Sequence, residues 1–287
     1  MAGLPSASAG LRADQSSLKD VLRRAGEWVQ RFADDAVYVV AEERYEQEYR
    51  TRDGASWKVE RRRLLSEIVL VRTPEEQMRA GYPWVQFRDV IEVDGTPLPD
   101  HRGRLESLFK QASGSAYAQA SVLIQESARF NIGPGIRTVN VPCFALFFLY
   151  PTNQRRFRFE IGPFDSQANT APLAQGRQVG PNAPAIIGYR ERARPTMIRS
   201  PKHQDLPASG VFEVELSSAR VLKTRLEVRV DRHWAMTTEV SYGYDAGIDA
   251  WVPQTMREHF GDNETLDCTA TYSNYRRFRT SGRLIVK

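Results

Sequence analysis

Apolar side chains recur with a helical period near the start of the chain. They are spaced by three or four residues at Leu18, Val21, Leu22, Ala25, Trp28, Val29 and Phe32. This spacing places them on one face of an amphipathic helix whose other face is polar. Ser17 followed by Asp20 resembles a capping box. The pattern therefore predicts a helix that begins at Ser17.

The pattern then changes to the two-residue alternation of β-strands. Strands are predicted over 37–49 and 57–73, with Asp53-Gly54 as the turn between them, and over 84–93. The alternation is clearest in the run VLKTRLEVRV, where the apolar side chains face one way and the charged ones the other. Further strands are predicted at 155–161, 211–216, 236–244, 251–260 and 269–278.

Between these runs the helical spacing returns. It predicts helices over 104–112, 116–132 and 141–150, and the Gly- and Pro-rich stretch 163–184 is predicted to be a long loop or flap. Helices grouped beside a run of antiparallel strands indicate an α+β protein with one large antiparallel sheet. Without a repeat or a clear linker, residues 17–287 are predicted to form a single domain.

Residues 1–16 are rich in small side chains and contain the triplet Ala7-Ser8-Ala9, which is typical of a signal-peptidase site. A basic start and an apolar stretch, which a complete signal peptide needs, do not precede it. Two interpretations stay open: the remnant of an export signal, or a disordered leader.

Charge and composition narrow the function classes. The net charge is +5, and 34 of the 40 basic residues are arginine, but the arginines are dispersed among nearly as many carboxylates. No apolar run approaches the roughly 20 residues that a transmembrane helix needs. We therefore expect a globular protein without a transmembrane segment.

Sequence motifs for catalysis are not found. The four histidines do not form an HExxH pattern, and neither a G-x-S-x-G elbow nor a phosphate-binding glycine loop is present. Glu42 and Glu43 are interpreted as solvated neighbours that point to opposite faces of a strand. Cys143 and Cys268 are expected to be buried free thiols, although one long-range bridge is an alternative. We predict a protein that is not an enzyme and that needs no cofactor or metal.

The last segment, TYSNYRRFR, interleaves aromatic and basic residues. A nucleic-acid platform would need its aromatic side chains on one face. On a regular strand Tyr272 would lie on one face and Tyr275 on the other, which favours an ordinary strand over a nucleic-acid binder.

Four runs carry a resemblance to known proteins: VYVVAEERYEQEY, GVFEVELSSARVLKTRLEVRV, AWVPQTMREHF and TYSNYRRFR. Following an N-terminal amphipathic helix, they resemble a bacterial protein group of acidobacterial type and, more distantly, the LolA/LolB and RseB-like lipoprotein carriers. The resemblance covers 17–73 and about 155–286. It implies an unclosed β-barrel that is covered by helices, in a protein that carries or senses acylated lipoproteins in the periplasm.

The resemblance and the alternating strands together suggest a non-enzymatic, extracytoplasmic binder of an apolar ligand such as an acyl chain or a lipoprotein. Its expected lining is Phe157, Phe159, Leu226, Val228, Tyr242, Tyr244 and Met256. The alternative is a protein-interaction or sensing module in which the central helical insertion, about 101–150, and the flap fill the concavity. Possible partners are therefore a lipid, a lipoprotein or another protein; nucleic acid is not expected.

Overall fold

The computed structural model describes residues 7–36, 39–73, 81–99, 101, 104–105, 122–134, 137, 139–162, 184–230, 235–261 and 264–277. The predicted flap at 163–184 lies outside these residues except for its last position. Most of the predicted helix at 104–112 also lies outside them, as does the start of the one at 116–132. Residues 122–127 are α-helical, and a 3-10 turn follows at Ala128–Phe130.

The N-terminal helix, α1, runs from Ala7 to Ala36. It begins ten residues before Ser17, so the predicted start was wrong. Residues 7–16 contain several alanines, which favour helix more than other residues, and no proline stops the helix there. The Ser17–Asp20 pattern consequently lies inside the helix. The two interpretations of residues 1–16 stay predictions.

The buried face of α1 agrees with the predicted period. Val21, Ala25, Trp28, Val29 and Phe32 are all buried. On the opposite side Arg23 forms ion pairs with Asp20 at 2.7 Å and with Glu27 at 2.8 Å.

Among the described residues, eleven strands form one antiparallel sheet. They are β1 (Val39–Asp53), β2 (Ser56–Arg72), β3 (Trp84–Val93), β4 (Thr96–Pro97), β5 (Phe157–Ile161), β6 (Ala185–Glu191), β7 (Ala208–Val214), β8 (Val221–Arg229), β9 (Ala235–Asp245), β10 (Ala250–Phe260) and β11 (Thr265–Arg277). The predicted strands correspond to members of this set, and β4 and β6 were not predicted. Gly54 takes a φ of 61° in the predicted turn between β1 and β2.

The order of strands in the sheet is β4-β3-β2-β1-β11-β10-β9-β8-β7-β6-β5. Two meanders, β1–β4 and β5–β11, are therefore joined at one place, where β1 pairs with β11. The end strands β4 and β5 do not pair with each other, so the sheet is an unclosed barrel. This confirms the predicted fold class, an α+β protein with a large, unclosed antiparallel sheet.

Residues 141–150, which we call the plug, lie against the sheet. They were predicted as a short helix, but they form turns and a 3-10 helix at Ala145–Phe148. The segment is apolar on all sides, and Cys143 to Leu149 are all buried. With no polar face to set a helical orientation, packing on all sides determines its shape. The plug, α1 and the inner face of the sheet enclose one continuous hydrophobic core.

Candidate functional site

The seven side chains predicted as an apolar lining lie on β5, β8, β9 and β10. Phe157, Leu226, Val228, Tyr242 and Met256 are buried in the core, and Phe159 packs against it while partly buried. Tyr244 is different, because 58% of it is exposed. The structure therefore brings six of the seven to the concave face and leaves Tyr244 in solvent, where it donates a hydrogen bond to Asp249.

The plug covers this part of the concave face. The centre of the Phe148 ring lies 4.7 Å from the centre of the Phe157 ring and 5.3 Å from that of Tyr189. The hydroxyl of Tyr242 donates to the carbonyl oxygen of Pro142 at 2.6 Å. The predicted lining consequently contacts the plug rather than open space.

Helix α1 covers the neighbouring part. The Phe32 ring packs edge-on to Tyr242 with 6.3 Å between their centres. Gly26 permits the close approach of α1 to the end of the plug, since a Cβ there would lie 3.0 Å from the carbonyl oxygen of Leu149.

A narrow apolar crevice remains between the plug, the end of α1 and the sheet. Its volume is about 30 Å³, which is room for about two water molecules. Residues that line it include Phe32, Val39, Ile68, Pro142, Cys143 and Tyr275. None of the seven predicted lining residues borders it.

Charged side chains share the concave face with the apolar ones. Glu43 on β1 and Arg88 on β3 form a buried, bidentate ion pair, in which Arg88 Nη2 lies 2.8 Å from Glu43 Oε1. The Tyr272 hydroxyl donates to Glu43 at 3.0 Å, and Arg88 donates to the carbonyl oxygen of Asn140 at 3.2 Å. Burial disfavours the charged guanidinium, but the Glu43 carboxylate outweighs this and holds the pKa of Arg88 above its ordinary value.

Glu258 on β10 adds a second buried carboxyl beside this pair. The Tyr45 hydroxyl donates to its Oε2 at 2.5 Å, while Oε1 has no hydrogen-bond partner among the described residues. Burial raises the pKa of Glu258, and the Tyr45 bond and the charges of Arg137 and Arg88 only partly oppose the shift. Glu258 is thus poised to hold a proton more strongly than an exposed carboxyl.

Arg137 completes the polar part of the concave face. It donates to Gln47 Oε1 and to the carbonyl oxygen of Ile132, both at 2.8 Å, and its guanidinium lies 5.2 Å from the centre of the Phe260 ring. Gln47 also accepts from the backbone N–H of Ile132 at 3.1 Å. The segment before the plug is therefore held over β1 by hydrogen bonds, whereas the plug itself is held mainly by apolar contacts.

The two cysteines are free and buried, as expected. Burial raises the pKa of both Cys143 and Cys268 to about 12. Such thiols are protonated at neutral pH and are poor nucleophiles.

A polar cluster lies at β3 on the other side of the sheet from Arg88. The carboxylate of Asp89 is 3.3 Å from Nδ1 of His101, and Arg104 forms a bidentate pair with Glu126 at 2.8 and 3.1 Å. Burial raises the pKa of Asp89, and Arg104 and His101 oppose this shift. These bonds attach the described parts of the insertion to β3.

In the part of the chain that the structure describes, no group of three or more His, Cys, Asp or Glu could hold a metal ion.

Two larger pockets among the described residues lie at the protein surface. One of about 420 Å³ lies between α1 and the start of β3 and is bordered by Glu27, Arg31, Asp34 and Trp84. Another, of about 370 Å³, is bordered by Val122 and Glu126. None of the predicted lining residues borders either of them.

The final strand differs from the regular alternation that the sequence predicts. Asn274 takes a φ of 52°, and the pairing of β11 with β1 shifts register nearby. Tyr272 and Tyr275 therefore both pack towards the interior, on the same face, where Tyr272 is buried and Tyr275 partly so. The predicted split between faces was wrong. Packed in this way, neither ring is free to stack on a base.

Comparison with known proteins gives matches among solved structures only. No protein-family model and no curated protein matches the chain. One similar structure is a domain described as an outer membrane lipoprotein-sorting protein from Vibrio parahaemolyticus, with 11% identity, a TM-score of 0.32, and coverage of 91% of this chain and 94% of that one. Another is a LolA superfamily protein from Nitrosomonas europaea, with 9% identity, a TM-score of 0.31, and coverage of 91% and 97%.

The description of the first structure names lipoprotein sorting and that of the second names the LolA superfamily, which is the class of protein that the sequence resembles. Superposition at these TM-scores is loose, so the matches support no statement about the ligand. Among the described helices, none is long and apolar enough to cross a membrane.

Proposed function

We propose that this chain is a non-enzymatic binding protein for an apolar chain, either the acyl chain of a lipid or that of a lipoprotein. The ligand would bind on the concave face of β5–β10 after the plug moves away from it. One observation carries the proposal: the concave face is occupied by an apolar segment, whose buried Phe and Leu side chains fill space that an acyl chain of similar chemistry would take.

The contacts of the plug support this exchange. Its backbone is tied to the sheet by a few single hydrogen bonds, such as Gln86 to the Cys143 N–H at 2.9 Å and Tyr242 to Pro142. The other contacts are apolar and have no preferred direction, so an acyl chain can replace them. The crevice beside Pro142 and Cys143 gives such a chain a place to enter.

The test compares a free plug with a locked one. Gln86→Cys places a second thiol on β3 beside Cys143, and a disulfide between them would hold the plug on the sheet. Thiol titration and mass measurement verify the bond. A fluorescent fatty acid should bind the wild type and the reduced variant but not the oxidised variant, and native mass spectrometry should show one bound chain. If the wild type and both forms of the variant all fail to bind, the proposal is wrong.

A second candidate function is a protein-interaction or sensing module whose core stays filled. The burial of most of the plug favours it, because Leu146, Phe148 and Leu149 are fully buried, as in a permanent core. Failure of the wild type to take up the fatty acid, together with capture of a specific protein partner, would support this candidate.

For the first function we propose an extracytoplasmic location, because the carriers that the sequence resembles act in the periplasm. Fractionation of the native cells, with an antibody to this protein, tests the setting independently of ligand uptake. Recovery with the cytoplasmic fraction would argue against it.

A further inference from the structure

The hairpin of β1 and β2 extends beyond the rest of the sheet. β11 begins opposite Arg50, and β3 pairs with β2 only from Leu64 onward. Residues 51–53 and 57–62 consequently form strand pairs only within the hairpin, whereas Arg63 also bonds to Asp94 after β3. We call residues 50–63 the ribbon.

The ribbon carries much of the positive charge of the chain. Six basic and two acidic side chains give it a formal net charge of +4, against +5 for all 287 residues. Glu48 at its base pairs with Arg50 at 2.5 Å and with Arg61 at 2.7 Å, so these two charges are partly balanced. Nearer the tip, Arg52 lies directly opposite Trp57, and Lys58 follows Trp57 on the other face of the ribbon.

One face of the ribbon combines this charge with exposed apolar surface. Trp57 is 54% exposed and Val59 is 41% exposed. Alternation places Trp57, Val59 and Arg61 on one face, and their cross-strand partners Arg52, Arg50 and Glu48 share it. The Arg52 guanidinium lies 5.5 Å from the centre of the Trp57 ring.

We propose that this face of the ribbon docks the protein on an anionic lipid bilayer. Trp is suited to the membrane interface because its ring is apolar and its indole N–H is polar. Arginine and lysine bind lipid phosphates, and an apolar anchor together with a basic patch gives reversible attachment. Nucleic acid fits less well, because a stacking platform needs several exposed aromatic rings and this face has one.

Docking is measured with the full chain and vesicles, without added fatty acid. Flotation should show binding to vesicles of phosphatidylglycerol mixed with phosphatidylcholine, and little binding to phosphatidylcholine alone. Raising the salt from about 0.1 M to about 1 M shortens the Debye length from about 10 Å to about 3 Å and should release the protein.

Two variants locate the binding surface. Arg52→Gln with Arg61→Gln removes two charges from the docking face and should weaken binding about 25-fold, about fivefold for each charge. Arg158→Gln with Lys202→Gln removes two exposed charges elsewhere on the protein. This variant should bind the vesicles with an affinity within about twofold of the wild-type affinity. Equal losses from the two pairs would overturn the proposal.

Trp57→Ala tests the apolar anchor. It should weaken binding by about tenfold or more and should abolish the blue shift of tryptophan fluorescence on anionic vesicles. Tyr244→Ala is the matched control, since it removes an exposed aromatic from the β9–β10 hairpin. The proposal fails if Tyr244→Ala has the same effect, or if the ribbon variants weaken binding to RNA while the wild type does not bind vesicles. Because no fatty acid is present, these outcomes are independent of the test of acyl binding.

Discussion

Among single-residue contacts, we expect the loss of the Glu43–Arg88 ion pair to lower the free energy of unfolding most. Arg88→Met removes the cation and leaves a buried carboxylate without a charge partner. Breaking a buried pair in this way costs about 3–5 kcal/mol. We expect the free energy of unfolding, measured with urea, to fall by that amount.

The matched control is Arg158→Met, which breaks the exposed pair with Glu160 and should cost less than about 1 kcal/mol. The double variant Glu43→Leu with Arg88→Met should be more stable than Arg88→Met alone, since it buries no unpaired charge. Equal losses for Arg88→Met and Arg158→Met would show that the buried pair is unimportant for stability.

Glu258 gives a pH-dependent prediction. Burial raises its pKa above the ordinary 4.5, so the folded protein binds this proton more tightly than the unfolded chain does. The resulting stabilisation is complete below pH 4.5 and is lost as the pH rises through the folded-state pKa. A glutamine is neutral at every pH and carries no buried charge, so Glu258→Gln should be more stable than the wild type at neutral pH.

Urea unfolding at several pH values checks this, and the advantage of Glu258→Gln should shrink as the pH falls towards 4.5. Glu264→Gln is a control of opposite sign. Bonds from Tyr49 and Thr51 lower the pKa of Glu264, so its contribution is present at neutral pH and is lost on acidification. A pH-independent difference for Glu258→Gln would contradict the assignment.

Gly210 shows how a strand depends on one backbone position. It lies in β7 with a φ of 153°, and a Cβ there would be 1.9 Å from the carbonyl oxygen of Arg225 on β8. Tyr189 also donates to that oxygen, at 2.9 Å. Gly210→Ala must therefore separate β7 from β8, and we expect a loss of about 2 kcal/mol or more in the free energy of unfolding.

Gly243→Ala is the control for this element. It lies in β9, its φ is not positive, and the nearest atoms to an added Cβ belong to the flexible side chain of Gln254, at 3.0 Å. Its cost should stay within about 1 kcal/mol. Similar urea midpoints for both variants would contradict the close approach of β7 and β8.

Most elements could be predicted from the sequence because local pattern determined them. The alternation of β8 and the period of α1 are preserved in the structure. The plug could not be assigned, since a wholly apolar segment has no period that distinguishes a helix from packed turns. The face reversal at Asn274 depends on one residue with positive φ, which a regular alternation does not anticipate.

The buried charges were missed for a different reason. Glu43 was interpreted as solvated because it follows Glu42, yet it alternates with Ala41 and Tyr45, both buried. That alternation was present in the sequence and indicates an inward-facing carboxylate. Its partner Arg88 is 45 residues away, and no local rule pairs the two. The polar half of the concave face is therefore a property of the fold rather than of any motif.

At the scale of the molecule, the pairing of β1 with β11 joins the two meanders. Residues from both meet at this joint: Glu43 and Arg88 from the first, and Tyr272 and Glu258 from the second. The shared core continues under both. A sheet built in this way should unfold as one unit although the chain has 287 residues.

Ala270→Asp tests whether the sheet unfolds as one cooperative unit. Ala270 is buried on β11 between Tyr45 on β1 and Met256 on β10, so the substitution buries a charge at the joint, at a cost of about 3 kcal/mol or more. Native-state hydrogen exchange should show the opening free energies of β2 and β8 falling together by the same amount. Gly210→Ala, far from the joint in the second meander, should lower both equally as well. If β8 keeps its protection in Ala270→Asp while β2 loses it, the meanders are independent units, and displacement of the plug could then proceed without disturbing the polar half of the concave face.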